Sequence, residues 1–374
     1  MHSFPIPEHI QKLVPYVPGK PIEETQREYG LKRVIKLASN ENPLGPSPRA
    51  LAAIKKALKN LQLYPDATGF HLKRAIAKYL KVEAKQILLG NGSNEVIDLI
   101  FQTFCMPGDK MVTSQAAFLA YAIGAQSHGL QTIFTPLTAD LRFDLDEMLK
   151  VIHSDFKVRM VFIANPNNPT GTYVTRQELE RFLAEVTSLS GRSVLVIIDA
   201  AYQEYITARD LPDPLEYVRK YPQVMILRTF SKVYGMAGLR LGYGVGHPDL
   251  IGMMERAREP FNVNSLALVA GIEALKDVAF VKKTLKANRT GMKFLEKEFR
   301  KMGLKYWPSQ GNFFLVDVEK KCGKTGPEIF QECLKHGVIF RPVVNYGFEG
   351  ALRISVGTME ENRMAVRVLK KVLS

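Results

Sequence analysis

The run Val194-Leu195-Val196-Ile197-Ile198, closed by Asp199, restricts the fold more than any other segment. Aliphatic residues in an unbroken row cannot form a strand with one wet face, so they predict a strand covered on both sides. Comparable runs recur at 87–89, 110–113, 131–134, 158–164, 224–228 and 239–245, with helical stretches between several of them. Strand–helix alternation over this length predicts an α/β unit built on a mostly parallel seven-stranded sheet.

Past Phe261 the pattern changes. A long helical stretch at 264–302 leads to short strand candidates near 304–307, 313–318, 338–340 and 351–356, then to a last helix from 359. That order predicts a smaller α+β unit. Residues 1–40 are punctuated by Pro5, Pro7, Pro15, Pro18 and Pro21, a poor helix and a plausible arm. The expected organisation is an arm over 1–40 that packs with the small domain, a large domain over 41–260 and a small domain over 261–374. A chain of 374 residues suits such a division.

The chemistry-bearing residues collect where strands are predicted to end. A lone lysine on a loop is ordinarily solvated, but Lys232 has unusual company in Thr229-Phe230-Ser231-Lys232 and, further on, Arg240. Two hydroxyls and a guanidinium fork suit a phosphate, and α/β sheets place ligands at the carboxyl ends of their strands. Asp199 reads either as a helix cap or as a carboxylate for a protonated ring nitrogen. Tyr202 and Asn168 can reach a neighbouring ring oxygen, although Asn165-Pro166-Asn167-Asn168-Pro169-Thr170-Gly171 also reads as a plain turn. Gly90-Asn91-Gly92-Ser93-Asn94-Glu95 joins a strand to a helix whose first N–H groups can face an anion; its alternative is a helix capped by Ser93. Phe118 reads as core or as a stacking surface. Gly242-Tyr243-Gly244-Val245-Gly246 lacks the GxGxxG spacing, so no dinucleotide site is expected. No metal spacing is seen among His71, His128 and His153, so no metal is expected.

In chain order, SNENPLGPSP at 39–48, YPD at 64–66, GNGSNE at 90–95, NPNNPTG at 165–171, DAAY at 199–202, TFSK at 229–232, GLRLGYG at 238–244 and ALRISVGT at 351–358 resemble the fold-type I pyridoxal-phosphate (PLP) enzymes. The branch is the aminotransferases that include histidinol-phosphate aminotransferase, and the match spans nearly the whole chain. The resemblance implies the following roles. Lys232 carries the cofactor, Asp199 holds its pyridine nitrogen, Asn168 and Tyr202 bind its ring oxygen and Phe118 stacks on it. Ser93, Asn94, Thr229, Ser231 and Arg240 hold its phosphate. Tyr64 reaches that phosphate across a homodimer interface. Arg353 grips the substrate anion, with Tyr16, Asn42 and Arg341 as further substrate contacts. Many relatives carry tyrosine where Phe118 stands, so stacking is kept and a hydroxyl contact is lost.

The expected reaction moves the amino group of L-histidinol phosphate to 2-oxoglutarate. Alternatives are an aromatic amino-acid aminotransferase, a PLP decarboxylase of a phosphorylated amino acid and a non-catalytic PLP-binding protein. The formal net charge is +14, but Lys and Arg are spread along the chain, and no nucleic-acid signature accompanies them. Cys105, Cys322 and Cys333 lack redox or metal spacing. No signal peptide or membrane-length apolar run is found, so a cytoplasmic protein is expected.

Overall fold

The computed structural model describes residues 4–16 and 18–374. Met1–Ser3 and Val17, all within the N-terminal segment 1–40 read above, lie outside it. Strand β1 (Ile35–Lys36) precedes a sheet made of β2 (Ile87–Asn91), β3 (Lys110–Ser114), β4 (Gln131–Thr135), β5 (Val158–Ala164), β6 (Leu195–Asp199), β7 (Val224–Thr229) and β8 (Leu241–Val245). The spatial order is β2-β8-β7-β6-β5-β3-β4. Only β8 runs antiparallel to its neighbours, so the sheet of seven is mostly parallel. Met160–Ile163, Val196–Ile198 and Val224–Leu227 are essentially inaccessible to solvent, as unbroken aliphatic runs require.

The last third supplies β9 (Lys305–Tyr306), β10 (Phe313–Asp317), β11 (Val338–Ile339), β12 (Arg341–Val343) and β13 (Phe348–Ser355). An antiparallel sheet orders them β12-β13-β10-β9, while β11 pairs in parallel with β1. A second core lies here, with Leu295, Phe299, Phe314, Leu352 and Leu369 among its buried members.

The helical stretch expected over 264–302 is two helices, Ser265–Lys276 and Val278–Met302. Asp277 breaks it. Its side chain accepts the Phe280 N–H at the start of the second helix, and also accepts from the Ser47 hydroxyl at 2.6 Å. Helix Ser265–Lys276 contributes Ala267, Leu268, Ala270 and Ala274 to the core of the large sheet. The second helix spans both cores, with Val281 and Leu285 against the first and Leu295 and Phe299 in the other. The two packing units therefore meet inside this helix, beyond position 261.

The proline-rich arm also divides. Its helix Glu8–Gln11 lies against helix Ala120–Ser127 of the large unit, where Gln126 Nε2 donates to the His9 carbonyl at 3.2 Å. Helix Ile22–Tyr29 and β1 pack on the C-terminal unit.

Gly242 and Gly244 serve close packing between β8 and helix Ser93–Phe104. A Cβ on Gly242 would meet the Ser93 nitrogen at 2.3 Å, and one on Gly244 would meet a Val96 methyl at 2.9 Å. Gly242→Ala is expected to lower unfolding free energy by about 1–3 kcal/mol, the usual range for overpacking. Denaturant unfolding measures it, and a wild-type midpoint would contradict the packing described here.

Candidate active site

The carboxyl ends of β3, β5, β6 and β7, the turn after β2 and the start of β8 surround a cavity of about 640 Å³. Lys232 follows β7 through a short turn in which the Ser231 N–H donates to Thr229 Oγ1 at 3.0 Å. Its Nζ donates to the Ser39 carbonyl at 3.2 Å and lies 5.7 Å from the Tyr202 ring centroid. Burial, reinforced by the nearby Arg353 cation, pushes the amine down to about 8. A neutral amine is therefore within reach near physiological pH.

Asp199 closes β6. Its Oδ2 accepts from the Tyr121 hydroxyl at 2.6 Å and its Oδ1 from the Ala201 N–H at 3.0 Å. Burial raises its pKa, while those two donors and Lys232 pull it back. Tyr121 is 0% exposed, stacks on Phe162 at 4.8 Å and meets Phe118 edge-on at 5.7 Å. It was given no role from sequence. The signal was its spacing of three from Phe118, which brings both rings to one side of a helical turn.

Asn168 lies in a loop clamped by its neighbours. Asn165 exchanges hydrogen bonds with Val174 through its amide, and Asn167 Nδ2 donates to Ala116 O and Thr170 Oγ1. Asn168 Oδ1 accepts from Arg353 at 2.6 Å. Because a guanidinium only donates, that contact turns Asn168 Nδ2 away from Arg353 and leaves it to donate elsewhere. Tyr202 is 4% exposed, and its hydroxyl oxygen accepts from Asn40 Nδ2 at 2.9 Å.

On the remaining side, Gly92 rather than Ser93 occupies the N-cap of helix Ser93–Phe104, with φ at 79°. A Cβ there would meet Arg240 Nη2 at 2.4 Å, so glycine is what lets the arginine close over the turn. Ser93, Asn94, Thr229, Ser231 and Arg240 all line the cavity, with the helix N-terminus among them. Together they form a cationic and hydroxyl-rich cradle for an anion.

The cavity thus collects Tyr16, Ser93, Asn94, Phe118, Asn168, Asp199, Tyr202, Thr229, Ser231, Lys232 and Arg240. The other four candidates lie elsewhere. Arg353, on β13, is buried behind Asn168. Its Nη2 donates to the Ala38 carbonyl, and its Nε has no hydrogen-bond partner among the described residues. No carboxylate pairs with Arg353 among the described residues. Arg341 places its guanidinium 5.6 Å from the Tyr16 ring centroid. Asn42 is turned to the Val233 carbonyl at 2.8 Å and Thr284 at 3.1 Å, so it buttresses the stretch after Lys232. Tyr64 is 83% exposed and stacks on Phe261 at 4.8 Å.

Both the sequence and the fold have counterparts among known proteins. Residues 32–369 match the family model "Aminotransferase class I and II". A histidinol-phosphate aminotransferase of Anaeromyxobacter sp. (strain Fw109-5) is 45% identical over 98% of this chain and 99% of its own. Histidinol-phosphate aminotransferase 2 of Pseudomonas fluorescens (strain Pf-5) is 47% identical over 98% of this chain and 96% of its own. The solved histidinol-phosphate aminotransferase from Sinorhizobium meliloti, in complex with pyridoxal-5'-phosphate, superposes with a TM-score of 0.88 at 27% identity, covering 100% of this chain and 98% of that one. Matched over residues 32–369 by that family model and nearly end to end by these relatives, the chain belongs to the class I and II aminotransferases.

Proposed function

We propose that the protein moves the amino group of L-histidinol phosphate to 2-oxoglutarate, giving imidazole acetol phosphate and glutamate in histidine biosynthesis, with pyridoxal phosphate as cofactor. The names of its relatives support histidinol phosphate as the amino donor, at 44–47% identity over nearly the whole chain. The observation that carries the chemistry is one cavity holding an amine of depressed pKa, a buried carboxylate with two donors and an anion cradle.

The residues suit pyridoxal phosphate group by group. Lys232 offers the amine for its aldehyde, Asp199 an anion for its protonated ring nitrogen, and Asn168 Nδ2 and the Tyr202 hydroxyl donors for its ring oxygen. Phe118 offers a face for the ring. Ser93, Asn94, Thr229, Ser231 and Arg240 would take the phosphate. When bound, pyridoxal phosphate supplies an aldehyde that captures the substrate amine and a ring that accepts the electron pair left by the departing proton.

Lys232 Nζ would take the proton from the amine-bearing carbon of the substrate and hold it for return. Asp199, whose charged form Tyr121 and the Ala201 N–H favour against the upward push of burial, would hold the ring nitrogen protonated. Arg353 is a buried cation without a carboxylate partner among the described residues, and such a charge calls for an anion. Its planar fork accepts a phosphate from one substrate and a carboxylate from the other, so both half-reactions use one site. Tyr16 and Arg341 are further candidate contacts for the substrate.

The reading includes a cytoplasmic homodimer. Leu58, Leu61, Leu63, Tyr64 and Phe70 are all exposed within residues 58–70, a stretch suited to cover by a second copy, in which Tyr64 would reach the partner's cofactor phosphate. Cys105, Cys322 and Cys333 are all free thiols, as a reducing compartment would keep them. No helix among the described residues is long and apolar enough to cross a membrane.

Glutamate release from histidinol phosphate and 2-oxoglutarate tests the assignment, with phenylalanine and tyrosine as competing donors. Histidinol phosphate should have the highest kcat/KM, whereas preference for phenylalanine would move the protein to the aromatic aminotransferases. Lys232→Ala should abolish turnover while keeping the fold, and near-normal turnover would refute the role of that lysine. Arg353→Ala should weaken transition-state binding of both substrates by about 2–5 kcal/mol, the cost of truncating one partner of a buried charge pair. An effect on one substrate alone would refute a shared anion site. Capture of added pyridoxal phosphate by cofactor-free protein should quicken as pH rises and level off above about 8, where the Lys232 amine is neutral. A rate still climbing nearly tenfold per pH unit at about pH 9 would mean an ordinary lysine.

A further inference from the structure

One short stretch touches three of the groups assigned to the reaction. The Ala38 carbonyl accepts from Arg353, the Ser39 carbonyl from Lys232 at 3.2 Å, and Asn40 Nδ2 donates to the Tyr202 hydroxyl at 2.9 Å. Ser39 lines the cavity, but Asn40, 1% exposed, sits behind Tyr202 and is not part of the lining.

Asn40 has a backbone φ of 54°, in the left-handed region that costs a residue other than glycine of order 1 kcal/mol. The surroundings hold it there on three sides. Its N–H donates to Ser355 Oγ at 2.9 Å, the Ser355 hydroxyl donates to Asn40 Oδ1 at 2.7 Å, and Asn312 Nδ2 donates to the Asn40 carbonyl at 3.1 Å. With Oδ1 taken by a hydroxyl proton, the side-chain amide presents Nδ2 to Tyr202. A phenol whose oxygen already accepts from an amide must send its own proton another way, and here the open direction is the cavity.

We propose that Asn40 is a positioning residue that orients the Tyr202 hydroxyl to donate to the ring oxygen of the cofactor. This rests on the pyridoxal-phosphate reading above. Burial pushes the Tyr202 phenol up to about 12, against the pull of Arg353 and of Asn40 itself, so at neutral pH it keeps the proton it is to donate. Ser355, which locks Asn40, stands two residues from Arg353 on β13. The strand that carries the anion-binding arginine therefore also sets the direction of this hydroxyl.

Asn40→Asp tests the idea. It keeps the acceptor for Ser355 and replaces the donor to Tyr202 by an acceptor, so Tyr202 would turn its proton back toward residue 40. Asn40→Gly is a second variant that removes the donor and relieves the left-handed backbone. Dissociation constants would be measured for pyridoxal phosphate and for 3-deoxypyridoxal phosphate, which lacks the ring hydroxyl. The wild type, both variants and each combined with Tyr202→Phe would be compared, with denaturant midpoints to check folding.

Each Asn40 variant should weaken pyridoxal phosphate by about tenfold, the scale of one hydrogen bond. Each should leave the deoxy analogue within about twofold, and should add nothing in the Tyr202→Phe background. Equal losses on both ligands, unchanged affinity for pyridoxal phosphate, or additivity with Tyr202→Phe would overturn the proposal while leaving the aminotransferase reading in place. Failure of the wild type to bind pyridoxal phosphate would overturn both.

Discussion

Removing an amine from water favours its neutral form, and the candidate site is organised around one such amine. Lys232 is held at the end of a central strand, beside the buried cation Arg353 and opposite the hydrogen-bonded carboxylate of Asp199. Burial is the larger cause of its lowered pKa. The neighbouring arginine adds to the downward pull on its pKa, so the nucleophilic form is accessible near neutrality. The parallel sheet makes this possible. Its backbone groups satisfy one another along the strands, leaving the strand ends free to present side chains and N–H groups to a common cavity.

In the proposed reaction, Arg353 would link this chemistry to substrate choice. It orients Asn168, whose amide is thereby left to donate elsewhere, and it is itself a charge with no acidic partner among the described residues. An anionic substrate would complete that pair. The same guanidinium would therefore respond to binding and influence both the lysine beside it and the asparagine in front of it. Asn40 and Ser355 bring Tyr202 into the same set, through contacts between β13 and the segment that follows β1.

Much of this was readable from the chain itself. Buried strands declare themselves as unbroken aliphatic runs, and catalytic loops follow those runs directly, so Lys232, Asp199, Asn168, Tyr202 and Arg240 could be picked out by local context. Contacts that exist only after folding could not. Tyr121 reaches Asp199 from 78 positions away, and Asn40 reaches Tyr202 from 162. Within SNENP the nearby Asn42 drew attention instead, yet it buttresses the backbone after Lys232. The break at Asp277 was hidden because a helical pattern continues on both sides of a single capping residue. The N-cap that Ser93 offered falls instead on Gly92, whose backbone at φ 79° favours glycine.

The aminotransferase chemistry depends on which lysine holds the cofactor. Borohydride reduction of the pyridoxal-phosphate-loaded protein would convert the carbon–nitrogen double bond into a stable link, and peptide mass spectrometry would locate it. A single modified peptide carrying the cofactor on Lys232 is expected. Modification of a different lysine, or none at all in the loaded protein, would contradict it.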